Sequence, residues 1–352
     1  MNPDPEREQI AVPEILIGLA DLEKCLGSSM SDASSALQPF KIACKVYEQQ
    51  FQSPFGIELA YETEPFRECV MFVAASMDLV RYFRLVRHKP QLKALREHLT
   101  LIAPGFFGVA ATYGIQMSKG SRLRTLLAAY GITPPTDSVA KDAARKTVEL
   151  MLAMAAMNSF DKIVVENPKA SSATDPNPDL IVQHAGKRFG VACKSLSTLS
   201  EETFKERVAE GLVQLERAIA ANRVDPIRGV VLLDVSAILD HEKLYLPAPD
   251  CRWPKQDSGD ILRRFVDEAL QKMFALEPTR SFQEILGSLY RNRRLPFAVL
   301  IYAHAVMLCE MNGHTCPVYQ KALRLAYGGD TSSIVSFCKR LDRALHCQPS
   351  RR

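Results

Sequence analysis

The amino-acid sequence predicts a mixed α/β protein, and three observations carry that expectation. Two strand-like runs, DLIVQH at 179–184 and RFGVACKSL at 188–196, are joined by a tight turn containing Gly186, which is the pattern of a β-hairpin. A helix follows, with apolar residues at Phe204, Val208, Leu212, Leu215 and Ile219. Next comes GVVLLDVSAIL at 229–239, a nearly continuous apolar run that reads as a central strand. A strand–helix–strand unit after a hairpin implies a mixed sheet with helices on its faces.

The remaining elements fit around that unit. Residues 1–135 read as helical by periodicity, with segments at 13–26, 66–87 and 91–102. GITPPTD at 131–137 breaks the pattern and marks a domain boundary. The chain from 138 to 159 reads as one long helix rich in Ala, Met and Leu, and DKIVVEN at 161–167 as a first strand. A polar loop with Pro168, Pro176 and Pro178 leads into the hairpin. Helices are expected at 201–222 and 259–274. The run at 295–306 fits a fifth strand, and a buried helix fits the same letters. The last ~40 residues read as helical again. The implied organisation is an N-terminal helical domain at 1–135, a core at 138–312 and a C-terminal helical extension at 313–352.

Bulk properties set outer limits. A chain of 352 residues predicts two or three domains, or one core with large helical additions. Apolar residues make up 47% and charged residues 24%, which excludes a disordered chain. The net charge of +4 neither establishes nor opposes nucleic-acid binding. Met1 to Gln9 has no basic or apolar targeting pattern, and apolar runs such as 295–309 are too short to span a bilayer. A soluble cytoplasmic protein without a membrane segment is expected.

The nine cysteines include no C-x-x-C pair, and their odd count and irregular spacing argue against a disulfide framework. Cys309, His314 and Cys316 lie close together as partial zinc ligands. A zinc site would need a fourth partner and tighter pairing, so buried thiols are the expectation.

The chemistry-bearing residues sit on the hairpin. Pro178-Asp179 opens one strand, and the other carries Ala192-Cys193-Lys194. Residues i and i+2 of a strand share a face, so positions 192 and 194 point the same way. The turn at Gly186 brings Asp179 level with both. Acids at such positions hold a divalent cation through hard oxygen ligands. A Lys beside the cation orients or deprotonates water and offsets developing negative charge.

Over residues 147–239, about a quarter of the chain, this pattern resembles the PD-(D/E)XK nuclease family. There a helix carrying a Glu precedes a strand, Pro-Asp opens the next strand, and an apolar strand ends in Glu-x-Lys. A helix that often carries a Gln follows. The resemblance implies a restriction-endonuclease-like mixed sheet and matches Glu149, Asp179, Lys194 and Gln214 to those positions. It also implies a catalytic Mg²⁺ or Mn²⁺ held by Asp179 and Glu149. The departure is Ala192, which stands where the family places its second acid, and a methyl group binds no cation.

Three accounts of Ala192 are open. The chain is a deliberately inactivated form that Ala192→Glu would restore; or it is a natural pseudo-nuclease; or another acid, Glu166, has migrated into the site. The first is favoured, because Asp179, Lys194, Glu149 and Gln214 are all retained. A semi-buried Lys194 without a role would also be costly to desolvate.

The function implied is a metal-dependent endonuclease, acting on DNA rather than RNA, and by family analogy serving bacterial antiviral defence. Lys169, Lys187 and Arg188 are expected near the site as phosphate contacts. Other basic clusters occur at 81–96, at 291–294 and at 339–343, and read as solvated helix faces. A homodimer or a protein partner through the helical regions is compatible with double-strand cleavage. The alternative is a non-catalytic nucleic-acid-binding or assembly protein on the same fold.

Overall fold

The computed structural model describes residues 81–93, 95, 137–165, 178–196, 198–226, 228–244, 257–274, 284, 286, 287, 298–311, 314–327 and 332–346. Among the described residues, six strands form one sheet in the order β1-β2-β3-β4-β5-β6. They are β1 (Lys162–Val165), β2 (Leu180–His184), β3 (Lys187–Ser195), β4 (Gly229–Asp234), β5 (Ala298–Met311) and β6 (His314–Tyr327). The β3–β4 and β4–β5 pairs are parallel and the other three antiparallel, so the sheet is mixed, as expected. Helices among the described residues include α1 (Asp137–Ser159), α2 (Glu201–Ala220), α3 (His241–Leu244), α4 (Asp257–Met273) and α5 (Ser332–Leu345).

Two apolar layers hold the sheet. On one face α1 and α5 pack with Phe189, Val191, Cys193, Val230, Leu232 and Leu300. On the other, α2 and α4 pack with Ala192, Val231, Leu233 and Ile301. Strand β4 is buried from both sides, which is why its sequence is a run of apolar residues rather than an alternation. The hairpin between β2 and β3 turns through Ala185 (φ 49) and Gly186 (φ 74), both left-handed. That is the signature of a two-residue type I′ turn, whose twist matches the flanking strands.

Helix α2 is specified locally at its start. The Ser200 hydroxyl oxygen accepts the Thr203 N–H, and Glu201 and Glu202 lie in the first turn, where negative charge suits the helix dipole. Phe204, Val208, Leu212, Leu215 and Ala218 form its buried stripe. Gly190 of β3 lies beneath the end of α2. A Cβ there would meet Val224 Cγ2 at 2.7 Å and Leu215 Cδ2 at 3.0 Å, so only glycine permits this approach.

The C-terminus of α1 is capped by two distant cations. Lys89 Nζ donates to the carbonyls of Met157 (3.0 Å) and Asn158 (3.1 Å). Arg340 Nε donates to the carbonyl of Ser159 at 2.7 Å, and its guanidinium lies over the Phe160 ring. Cations at a helix C-terminus satisfy orphan carbonyls and oppose the dipole. Burial lowers the Lys89 pKa below its ordinary value. Nearby, Lys321 Nζ donates to Tyr82 Oη at 2.8 Å, and Tyr82 donates in turn to the Leu345 carbonyl. The helical residues 81–86 and α5 are thereby tied to β6.

The expected C-terminal helical extension is corrected here. His314–Tyr327 is a 14-residue strand, and only Ser332–Leu345 is helical. A boundary at 312/313 would cut the β5–β6 hairpin, whose register runs from Val299↔Tyr327 to Met311↔His314. Periodicity over the last ~40 residues suggested a helix. The ladder with β5 overrides it, and Ala322 and Leu323 are buried in opposite layers. The expected N-terminal domain lies outside the described residues, apart from 81–93 and 95. Among the described residues, no helix is long and apolar enough to cross a membrane.

Candidate functional site

The register of the β2–β3 hairpin builds the site. Leu180 pairs with Val191, and Asp179 immediately precedes that pair at the head of β2. Asp179 is 7% exposed, and its Oδ2 accepts the Cys193 N–H at 2.6 Å. This bond fastens the head of β2 to β3. Ala192 is fully buried in the α2 layer, whereas Cys193 belongs to the α1 layer. Lys194 is half-buried and donates from Nζ to Gln214 Oε1 of α2 at 3.1 Å. Ala192 and Lys194 thus share the α2 face, as the i, i+2 spacing predicted, and Gln214 meets Lys194 there.

Glu149 approaches from elsewhere. It is buried at 6% exposure on α1, in the opposite layer. Phe160 and Asp161 turn the chain from α1 back into β1. From Ser159 back to Glu149 the helix rises ~15 Å, while β1 spans ~10 Å. Glu149 therefore lies at the height of the Asp179 end of the sheet, on the far side from Lys194 and Gln214.

The phosphate contacts expected near the site are corrected. Lys187 and Arg188 sit at the turn end of the hairpin, and six residues of extended chain put Arg188 ~20 Å from Lys194. Arg188 is also committed elsewhere. Its backbone N–H and its Nε and Nη2 donate to the Asp225 carboxylate at 2.9, 3.1 and 2.9 Å, and Nη1 and Nη2 bond Asn222. Burial pushes the Asp225 carboxyl up, and the Arg188 hydrogen bonds outweigh it and hold the group below its usual range. Lys169 and Glu166 lie outside the described residues, as do Arg96, Arg291, Arg293 and Arg294. Within the other basic clusters, Lys89 and Arg340 are the two caps of α1.

A polar cluster that sequence reasoning missed lies at the carboxyl end of β4. Asp234 Oδ1 accepts both the backbone N–H of Ser236, at 3.0 Å, and the Ser236 hydroxyl. With its only proton given to Asp234, Ser236 Oγ accepts the backbone N–H of His304 and the ring Nδ1–H, both at 2.9 Å. The His304 ring is therefore held as the Nδ1–H tautomer, joining β4 to β5. Its one sequence signal is Asp-x-Ser at a strand end, where these side chains bond their own backbone. Ser195, Asp234 and Tyr302 are register partners across β3, β4 and β5, and Tyr302 lies in the α1 layer. This cluster thus occupies the face opposite Lys194.

Chemically, this end of the hairpin offers one carboxylate, Asp179, on the Cys193 N–H, and one ammonium, Lys194, on the α2 face. Mg²⁺ asks for six oxygens and accepts one or two carboxylates with waters and substrate phosphates. The donor set fits such an ion only in part, because Ala192 supplies a methyl where a second carboxylate would complete the pair. Among the described residues, no group of three or more His, Cys, Asp or Glu side chains is placed to hold a metal ion. Among the described residues, Cys193 and Cys338 are buried thiols in no disulfide, and burial pushes Cys338 up to about 12. Comparison with family models, curated proteins and solved structures finds no match to this chain.

Proposed function

We propose that this chain is built as a metal-dependent nuclease of the PD-(D/E)XK type, acting on DNA in preference to RNA. With Ala192 in place of an acid, it is an inactivated form that binds nucleic acid far better than it cuts it. The observation that carries the reading is the grouping of Asp179, position 192, Lys194 and Gln214 at one end of the β2–β3 hairpin, the last three on the α2 face. When bound, a divalent cation would supply an activated water and neutralise phosphate charge. Asp179 is the residue to hold it, fixed by the Cys193 N–H. Lys194, steadied by Gln214, is the group to offset charge as it develops on the phosphate. Glu149 would assist only by reaching past the end of the sheet.

A second reading is favoured by one specific observation: Ala192 is fully buried among apolar side chains of the α2 layer. A methyl suits that environment, and a carboxylate there would be costly without a cation beside it. On this reading the chain binds nucleic acid, or assembles, and never cuts. Incubation with Mg²⁺ or Mn²⁺ and double-stranded DNA separates the two. The nuclease reading expects the Ala192→Glu variant to cleave and the present chain to be more than about 100-fold slower, since even an outer partner of a metal site is worth 10- to 100-fold. If Ala192→Glu is folded and cuts neither DNA nor RNA, the binding-only reading stands.

A further inference from the structure

Helix α5 ends where two other elements meet it. A stripe that includes Ile334, Phe337, Leu341 and Leu345 buries one face of the helix. The last carbonyls of a helix have no donor within it and need partners from outside. The Leu345 carbonyl accepts from Tyr82, whose Oη accepts from Lys321 Nζ of β6 at 2.8 Å. His346, the next residue, closes the circuit. Its ring Nε2 meets the Lys321 carbonyl at 2.8 Å, and its Nδ1 meets the Asp342 carbonyl, one turn back, at 2.8 Å. The end of α5, strand β6 and residues 81–86 are thus joined in one loop of hydrogen bonds.

Both partners of the ring are carbonyl oxygens, which only accept. A neutral imidazole has one N–H and can serve one of them; its other nitrogen would then turn a lone pair toward a carbonyl oxygen. The imidazolium alone donates to both. Two further features of the site favour a cation. Asp342 Oδ1 lies 3.4 Å from Nδ1, and that oxygen is buried with no hydrogen-bond partner among the described residues. A positive ring beside it offsets a charge that burial makes costly. The ring also stands at a helix C-terminus, where positive charge opposes the dipole. The other charged and titratable groups of the elements packed here are few among the described residues. Lys321 turns its ammonium to Tyr82, and His304, its register partner, is bound through Nδ1 to Ser236. Glu149 is buried on α1, Cys338 is buried on α5, and Arg343 is exposed in the last turn of α5.

We propose that His346 is an imidazolium in the folded chain and acts as a proton-operated latch on the end of α5. While the ring holds both protons, it bonds its own last turn to β6. When one proton passes to solvent, one carbonyl loses its donor, and the junction of α5, β6 and residues 81–86 loosens. The folded chain thus keeps a proton that the unfolded chain has begun to give up. The stability from this group is complete at low pH and is lost as pH rises. Nothing in this inference depends on the nuclease reading.

The test uses the full chain with ¹⁵N-labelled histidine, and the His346 ring is identified as the signal missing from His346→Gln. At about pH 7.5, where a free histidine is mostly neutral, both ring nitrogens of His346 should show the protonated shift. Raising the pH until one of them loses its proton should speed amide exchange at Leu345 and His346. After correction for its intrinsic pH dependence, the gain should be about tenfold or more, the worth of one charge-assisted hydrogen bond. Asp342→Asn should move that loss to lower pH. His346→Lys keeps a cation there throughout and should remove the pH dependence of the corrected exchange. In His346→Gln the urea midpoint at about pH 7.5 should gain on that at about pH 5.5, compared with the unaltered chain. An unprotonated ring nitrogen on His346 at the first of these pH values overturns the proposal. So does exchange at the end of α5 that stays constant while the ring titrates.

Discussion

The two ends of the β2–β3 hairpin carry similar charges and put them to different uses. At the turn end, Arg188 is saturated: three bonds reach Asp225 and two reach Asn222, and the group closes the gap between the hairpin and the end of α2. At the open end, Asp179 is fastened by the Cys193 N–H and Lys194 by Gln214, with a methyl at position 192 between them. A charge is thus a structural tie at one end and a candidate reagent at the other. Register decides which, and closeness to the motif in sequence does not. Lys187 and Arg188 are nearer to Asp179 along the chain than Lys194 is, yet they lie at the far end in space.

The largest expected effect would break that comparison outright. In the Ala192→Glu background, Lys194→Met should slow DNA cleavage by about 100-fold or more. Arg188→Met in the same background should change it by less than about threefold in the same assay, since Arg188 holds structure rather than substrate. Equal losses would erase the distinction between the two ends.

Gly190→Ala sharpens it structurally. The added methyl must displace Val224 or Leu215 and should cost about 1–3 kcal/mol, read as a lower urea midpoint with an unchanged slope. Asp225→Ala removes the acceptor of Arg188. The group is partly exposed, so the expected loss is only about 1 kcal/mol, with nuclease activity of the Ala192→Glu form intact.

The smallest effect is a pH dependence at the turn end. His184 lies beside Ser336 and Phe160, and its pKa is lowered, first by burial and then by Arg340, with Asp161 opposing. The unfolded chain therefore takes up this proton near the ordinary value of 6.5, before the folded chain does. Stability from this group is complete above that value and falls as pH drops below it, until folded His184 is protonated as well. Urea midpoints at about pH 7.5 and about pH 5.5 should differ, and His184→Phe should reduce the difference.

Much of the core was legible because its signals are local. The hairpin strands, the Gly186 turn, the apolar stripe of α2 and the continuous run of β4 each rest on periodicity or turn chemistry. The shared face of Ala192 and Lys194 followed from strand alternation, and Asp179 was brought level with them by the turn position, whereas Gln214 on α2 came from the family resemblance. What escaped was set by distant contacts. Strand β6 carries helical spacing and becomes a strand only because β5 offers it a long ladder. The caps from Lys89 and Arg340 join segments far apart in sequence, so their basic residues look like ordinary surface charge until the end of α1 is in place. Asp234, Ser236 and His304 were invisible for the same reason, because β4 and β5 must first lie side by side.

The central claim is that Asp179, position 192 and Lys194 form one cation-dependent site at the open end of the hairpin. Calorimetric titration of the Ala192→Glu variant with Mn²⁺ tests it most directly. The account predicts a binding isotherm that disappears when Asp179→Ala is added and is weaker in the present chain. Heat of binding that is unchanged by Asp179→Ala, or absent from a folded Ala192→Glu variant, would contradict it.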